Sequence, residues 1–470
     1  MTKHFVLTAL AAAALGGCSM IPTYERPAAP VPAQYAQAPQ AASAPVPGDW
    51  QQYFTDSRLQ QLITIALENN RDLRVATLAI EQARAQHQIQ RAAQFPSVGL
   101  GATAARTVGS NGQLGNTYSV GAIASSWELD FWGRVGSLKE QALAQYLAST
   151  EGRNAAQVSL VAAVANGWLT LQADEELLAI SRRTLATRED SLKLAQLRRN
   201  VGMSSDLDLH QVQSLTEAAR ATLAQQQRQR ILDENALALL LGQPLPAELR
   251  TSLEGSRLAA AAPMAALPAG LPSDLLTHRP DIRQSEQQLI AANASIGAAR
   301  AAFFPTIALT AQAGTASNEL SGLFKSGTWA FTPSVSALLP IFNAGRNQAA
   351  LDAAQAGRDI AVAQYEKTIQ SAFREVADAL AGQDTLRTQL QAQQAQAQAE
   401  QERLRLSTLR YDTGVASYLD LLDAQRSLFA LEQAVVQVRL AQLQNQVQLY
   451  KALGGGWNQP APASEQAHGG

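Results

Sequence analysis

The chain has 470 residues, of which 46% are hydrophobic and 6% aromatic, with a formal net charge of −2. That length allows two or three ordinary domains and a large core. The balanced charge excludes a basic footprint for nucleic acid or for an anionic membrane surface. Long stretches of Ala, Gln and Leu favour long helices over a compact α/β enzyme.

At the start, Lys3 and His4 precede an apolar run from Phe5 to Leu15, closed by Gly16-Gly17-Cys18. Such a run is too short to span a membrane and reads as a signal-peptide core. Cys18 is the only cysteine and cannot form an intramolecular disulfide. Small residues ahead of it resemble a bacterial lipobox, although Gly16 stands where Ala or Ser is commoner. Residues 1–17 are therefore expected to be a lipoprotein signal peptide, with Cys18 as the acylated, palmitate-type anchor; the competing reading is an ordinary cleaved signal with a cysteine nearby. Ser19, where inner-membrane lipoproteins usually carry Asp, favours the outer membrane. Residues 18–55 form a lipidated N-terminal tether, Pro/Ala/Gln-rich over 19–48.

Two long segments then repeat one pattern. Phe95-Pro96-Ser97-Val98-Gly99-Leu100 matches Phe304-Pro305-Thr306-Ile307-Ala308-Leu309, an offset of 304 − 95 = 209. Gly133-Arg134 matches Gly345-Arg346, and Gly202 matches Gly414, both at 212. Leu207-Asp208-Leu209 falls on Leu419-Asp420-Leu421 at the same offset. These matches define a first repeat over 56–242, a proline-rich equatorial linker over 243–272, a second repeat over 273–454 and a C-terminal tail over 455–470. Each repeat reads helix, strand, loop, strand, very long helix, tip, long helix. No proline interrupts residues 97–243 or 341–459, so residues 134–199 are predicted to form one helix about 100 Å long at ~1.5 Å per residue. Such lengths belong to coiled coils and α-barrels.

In the strand segments Ile307, Leu309, Ala311 and Ala313 alternate with Thr306, Thr310 and Gln312, and Val98, Leu100, Ala102 and Ala104 alternate with small polar residues. That pattern suits a water-filled transmembrane β-barrel, with loops expected near 108–117 and 314–328; two soluble hairpins share the same periodicity. Four strands cannot close a barrel in lipid, because unpaired edges are too costly there. Three copies would supply about twelve strands.

The duplication, the lipobox, Leu129-Asp130-Phe131-Trp132-Gly133-Arg134, Tyr418-Leu419-Asp420-Leu421-Leu422-Asp423-Ala424-Gln425-Arg426 and the ending Leu449–Trp457 closely resemble outer-membrane efflux proteins of the TolC family. Within it they are most similar to the OprM-like lipoproteins that serve RND pumps. The resemblance implies an α+β membrane protein: a homotrimeric duct with a shared 12-stranded transmembrane β-barrel, a periplasmic α-helical barrel and a mixed equatorial domain. It places Leu419, Asp420 and Asp423 at a periplasmic gate and Tyr411 with Asp208 in a latch that holds it shut. A trimer would gather six carboxylates there, favouring cations and raising some of their pKa values. From spacing alone, Asp420 and Asp423 are as readily helix-start charges favoured by the helix dipole. Gly202, Ser205, Gly414 and Ser417 mark tips expected to dock a periplasmic adaptor.

No metal-ligand spacing is visible among the five histidines, and no nucleophile–base motif or phosphate loop is present. The expected function is a passive exit duct in the outer membrane for drugs or other small toxic compounds, fed by an adaptor and an inner-membrane RND transporter. It is expected to be no enzyme, to bind no nucleic acid and to need no cofactor beyond the lipid on Cys18. Alternatives are a duct for protein or peptide secretion and a non-channel periplasmic coiled-coil scaffold.

Overall fold

In a computed structural model the described residues are 19–32, 35, 49–108, 112, 114–262, 264–265, 267 and 279–455. Cys18, the expected signal peptide over 1–17 and the expected tail beyond Gly455 lie outside them. Helix α1 (Ser57–Asn69) and α2 (Arg71–Ala92) lead into strands β1 (Ser97–Val108) and β2 (Leu114–Leu129), then α3 (Arg134–Asn200) and α4 (Asp206–Leu241). After a short α5 (Ala247–Leu253), the second repeat runs α6 (Pro280–Ala301), β3 (Thr306–Ser317), β4 (Trp329–Leu338), α7 (Arg346–Asp412) and α8 (Tyr418–Ala452). Helices α3 and α7 have 67 residues each. Among the described residues no helix is long and apolar enough to cross a membrane.

The chain divides into two compact units. The first, residues 1–29, 77–151 and 283–368, holds the strands. They form one antiparallel sheet in the order β1-β2-β3-β4, so the outer edges of β1 and β4 are unpaired within the chain. The register opposes Gly121 to Gly314 across β2 and β3. Each glycine faces the other strand's backbone so closely that a Cβ on Gly314 would overlap the Val120 carbonyl. Two strand ends differ from expectation. β3 continues to Ser317, with Thr315, Ala316 and Ser317 paired to Val120, Ser119 and Tyr118. β2 begins at Leu114, inside the other expected loop, with Leu114 paired to Val108; further on, its ladder to β3 is irregular between Ala124 and Trp127. Pro333 falls in β4, an edge strand, where a missing donor is tolerated.

The Leu129–Arg134 segment anchors the start of α3. Asp130 accepts from the Val135 and Gly136 amides at 3.0 and 2.6 Å, and the Arg134 fork grips Glu128 at 2.8 and 2.5 Å. Trp132 donates to the Pro305 carbonyl at 2.9 Å and stacks on Phe304. The tether is fastened where it is described: Arg26 makes a bidentate pair with Glu286 at 2.7 and 2.9 Å, and Asn293 donates to the Pro22 carbonyl at 2.7 Å.

The second unit comprises residues 30–76, 152–282 and 369–470. Its core gathers Trp50, Tyr53, Leu62, Ile63, Trp168, Leu237 and Tyr450, with the Tyr53 and Tyr450 rings stacked at 4.2 Å. The linker is more ordered than its prolines suggest: Leu249, Leu253 and Leu258 are buried in this core.

Candidate functional site: the helix tips

Both tips lie in the second unit. At the end of α3, Gly202 adopts φ 75°, its amide donates to the Arg199 carbonyl at 3.0 Å, and the Met203 amide donates to Arg198 at 2.8 Å. At the end of α7, Gly414 has φ 74°, with the same bonds to Tyr411 at 3.0 Å and from Val415 to Arg410 at 2.8 Å. This is a Schellman ending, which satisfies the last carbonyls and needs a left-handed residue, hence glycine. Each turn feeds a capping box. The Ser205 hydroxyl accepts from the Asp208 amide at 3.1 Å, and the Asp208 carboxylate accepts from the Ser205 amide at 3.1 Å. Ser417 and Asp420 repeat the exchange at 3.3 and 3.2 Å. Asp208 and Asp420 are therefore structural equivalents, 420 − 208 = 212 residues apart, and both satisfy first-turn amides. The Ser205 hydroxyl holds the Asp208 carboxyl below the usual carboxylate range.

Around these turns Val201, Met203, Leu207, Val415 and Leu419 remain exposed. A cleft of about 450 Å³ opens between the starts of α4 and α8, lined by Leu207, His210, Leu215, Leu419, Leu422 and Asp423. Asp423 accepts from Arg403 and from Arg426, each at 2.7 Å. The Arg403 hydrogen bond and, after it, the charges of Arg403 and Arg426 hold its pKa down. Within one chain the arginines thus act opposite to the carboxylate crowding expected of a trimer.

The latch partner differs from expectation. The Tyr411 hydroxyl accepts a hydrogen bond from Arg198 Nη1, whose guanidinium also sits 5.0 Å over the Tyr411 ring. Within the chain Asp208 accepts through Oδ2 from Ser204 and Ser205, and Tyr411 is not among its partners. Arg198 and Arg403 carry no sequence signal that singles them out. The Ser-x-x-Asp spacings and the three-residue spacing of Asp423 and Arg426 are the signals that could have found the rest. Among the described residues no group of three or more His, Cys, Asp or Glu is placed to hold a metal ion.

A duplicated set of long helices with matched tips, carrying two strand pairs in one antiparallel sheet, defines an outer-membrane duct of the TolC-like fold. The outer membrane efflux protein family model matches residues 62–243 and 271–455, once per repeat, and the chain belongs to that family. It is 48% identical over 99% of both chains to the probable efflux pump outer membrane protein TtgC of Pseudomonas putida. It is 44% identical to outer membrane protein OprJ of Pseudomonas aeruginosa, covering 96% of this chain and 95% of that one. The open-state MtrE outer membrane channel of Neisseria gonorrhoeae superposes with a TM-score of 0.84 at 41% identity, over 94% of this chain and 99% of that one. The protein is the outer-membrane channel component of an efflux system and extends into the periplasm.

Proposed function

We propose that three copies form one passive exit duct for small toxic compounds, docked through their helix tips to a periplasmic adaptor and an inner-membrane RND transporter. The observation that carries this reading is the open four-stranded sheet, whose two unpaired edges call for neighbouring copies in lipid. Relatives are named for efflux of toluene and of antibiotics, so amphiphilic drugs and solvents are the substrate class we assign. Exposed Met203, Leu207, Val415 and Leu419 supply apolar docking contacts beside the turns at Gly202, Ser205, Gly414 and Ser417. Cys18 carries the lipid anchor, and the duct works without catalysis, metal or organic cofactor. Leu419, Asp420 and Asp423 form the resting constriction, with Tyr411 latched through Arg198.

Planar-bilayer recording and drug susceptibility test this together. The purified protein should conduct, and deleting its gene should sensitise cells to solvents and amphiphilic antibiotics. Replacing Asp420 and Asp423 together by Ala should lower cation preference and divalent block. Wild-type ion preference in that variant would place the constriction elsewhere; no conductance from the intact protein would remove the duct.

A further inference from the structure

Away from the tips, α3 carries a buried guanidinium, Arg188, with no counter-ion among the described residues. Arg188 is 4% exposed, and its Nη1 donates at 2.7 Å to a neutral acceptor, the Gln425 amide oxygen. Burial holds its pKa below the usual arginine range, Tyr418 opposes that shift, and Arg426 adds to it. The side chain faces a cavity of about 230 Å³ between α3, α7 and α8, lined also by Arg183, Thr184, Gln425 and Glu432. Glu432 is the sole carboxylate in that lining and is committed to Arg183 at 3.5 Å. Two guanidiniums therefore face one carboxylate, leaving one positive charge uncompensated. A buried charge persists only when paired or solvated.

We propose that this cavity is an anion-binding site that takes a small monovalent inorganic anion, such as chloride, as the counter-ion of Arg188. A single uncompensated charge matches a monovalent ion better than a dianion such as phosphate or sulfate. The volume accommodates a halide with a few waters, each of which occupies about 30 Å³. Because the cavity is walled by α3 on one side and α7 with α8 on the other, the bound ion ties the helices of the two repeats together above their tips. Arg188 and Gln425 are its direct contacts, while Glu432 competes with it for Arg183.

The test uses the intact assembled channel with bromide and chloride as probes. Crystals grown in bromide should show an anomalous peak within about 3.5 Å of the Arg188 guanidinium. Thermal unfolding should occur ~2–4 °C higher in chloride than in gluconate at equal ionic strength. Arg188→Gln should lose that difference. Glu432→Gln, which releases Arg183, should lower the half-saturating chloride concentration several-fold. Water or a neighbouring copy's carboxylate in the bromide map, or an identical halide response in all three proteins, would overturn the site. If Arg188→Gln fails to assemble, the map and Glu432→Gln decide.

Discussion

Tyr411 offers Arg198 two contacts, a hydroxyl acceptor and a ring face 5.0 Å from the guanidinium. Tyr411→Phe removes the first and keeps the second, so it should loosen the latch only partly. Hydrogen bonds to charged groups are worth about 1.5–3 kcal/mol, and three copies acting together would raise the open population strongly. Arg198→Ala removes both contacts and should raise conductance further, while the double variant should add nothing to Arg198→Ala. Bilayer recording distinguishes this from the sequence-based expectation: if Asp208→Asn opens the channel and Arg198→Ala is silent, the latch runs through Asp208. Family likeness pointed to Tyr411 and Asp208, and gave no hint of the Arg198 that Tyr411 meets in the chain. Residues 411 and 198 lie in different repeats, and no periodicity says which arginine meets which tyrosine. Ser205-x-x-Asp208 and Ser417-x-x-Asp420 close as capping boxes, a spacing that gives each aspartate a local structural role beside any part in the gate.

Two element pairings make opposite demands on their side chains. Across β2 and β3, Gly121 and Gly314 leave no room for a Cβ, whereas Gly99 in β1 has none of its neighbours within 4 Å. Gly314→Ala should therefore impair assembly of the stable oligomer, read as loss of the heat-resistant band on a semi-native gel, while Gly99→Ala should leave it intact. Equal behaviour of the two variants would show that β2 and β3 part at this point. Between α3 and α4, Asp174 is 5% exposed, and its Oδ2 has no hydrogen-bond partner among the described residues. Burial, and after it the nearby Asp233 carboxylate, raise its pKa to about 7 from 3.8, with Arg230 opposing. In the unfolded chain the group ionises near 3.8. Stability is thus free of this cost below about pH 4, falls as pH rises toward 7, and levels off above it. Asp174→Asn should flatten unfolding midpoints across that window; an unchanged pH profile would mean that Asp174 stays ionised in the fold. The long helices were legible because no proline breaks them. The strand ends were not: Thr315, Ala316 and Ser317 look like loop residues, but small and polar side chains are normal on strands lining an aqueous barrel. The neighbour of Asp174 was equally hidden, since nothing in spacing separates a buried carboxylate on a long helix from a solvated one.

For the whole molecule the open question is how the sheet closes. Its order leaves the outer edges of β1 and β4 without partners. An edge in lipid exposes amides and carbonyls that no water can satisfy, at a cost of several kcal/mol for each unpaired group. A strand of 12 residues in β1 and one of 10 in β4 make that cost prohibitive for a lone chain. Pairing β1 of one copy with β4 of the next removes every edge only when the ring closes, and three copies supply about twelve strands, enough for an aqueous lumen. The apolar residues exposed on the single chain fit this picture, with Leu100 in β1 and Phe331 and Val335 in β4 on one face of the sheet, free to face lipid. Native mass spectrometry from detergent should therefore show a trimer of acylated chains. Replacing Val335, two residues beyond Pro333 in β4 and with its amide on the same outer side, by Pro should remove a further donor from that edge and shift the population toward monomer. A folded monomer in the unaltered protein, with its strand content retained by circular dichroism, would mean that the β1 and β4 edges are covered by some element of the same chain, and the shared barrel would fall.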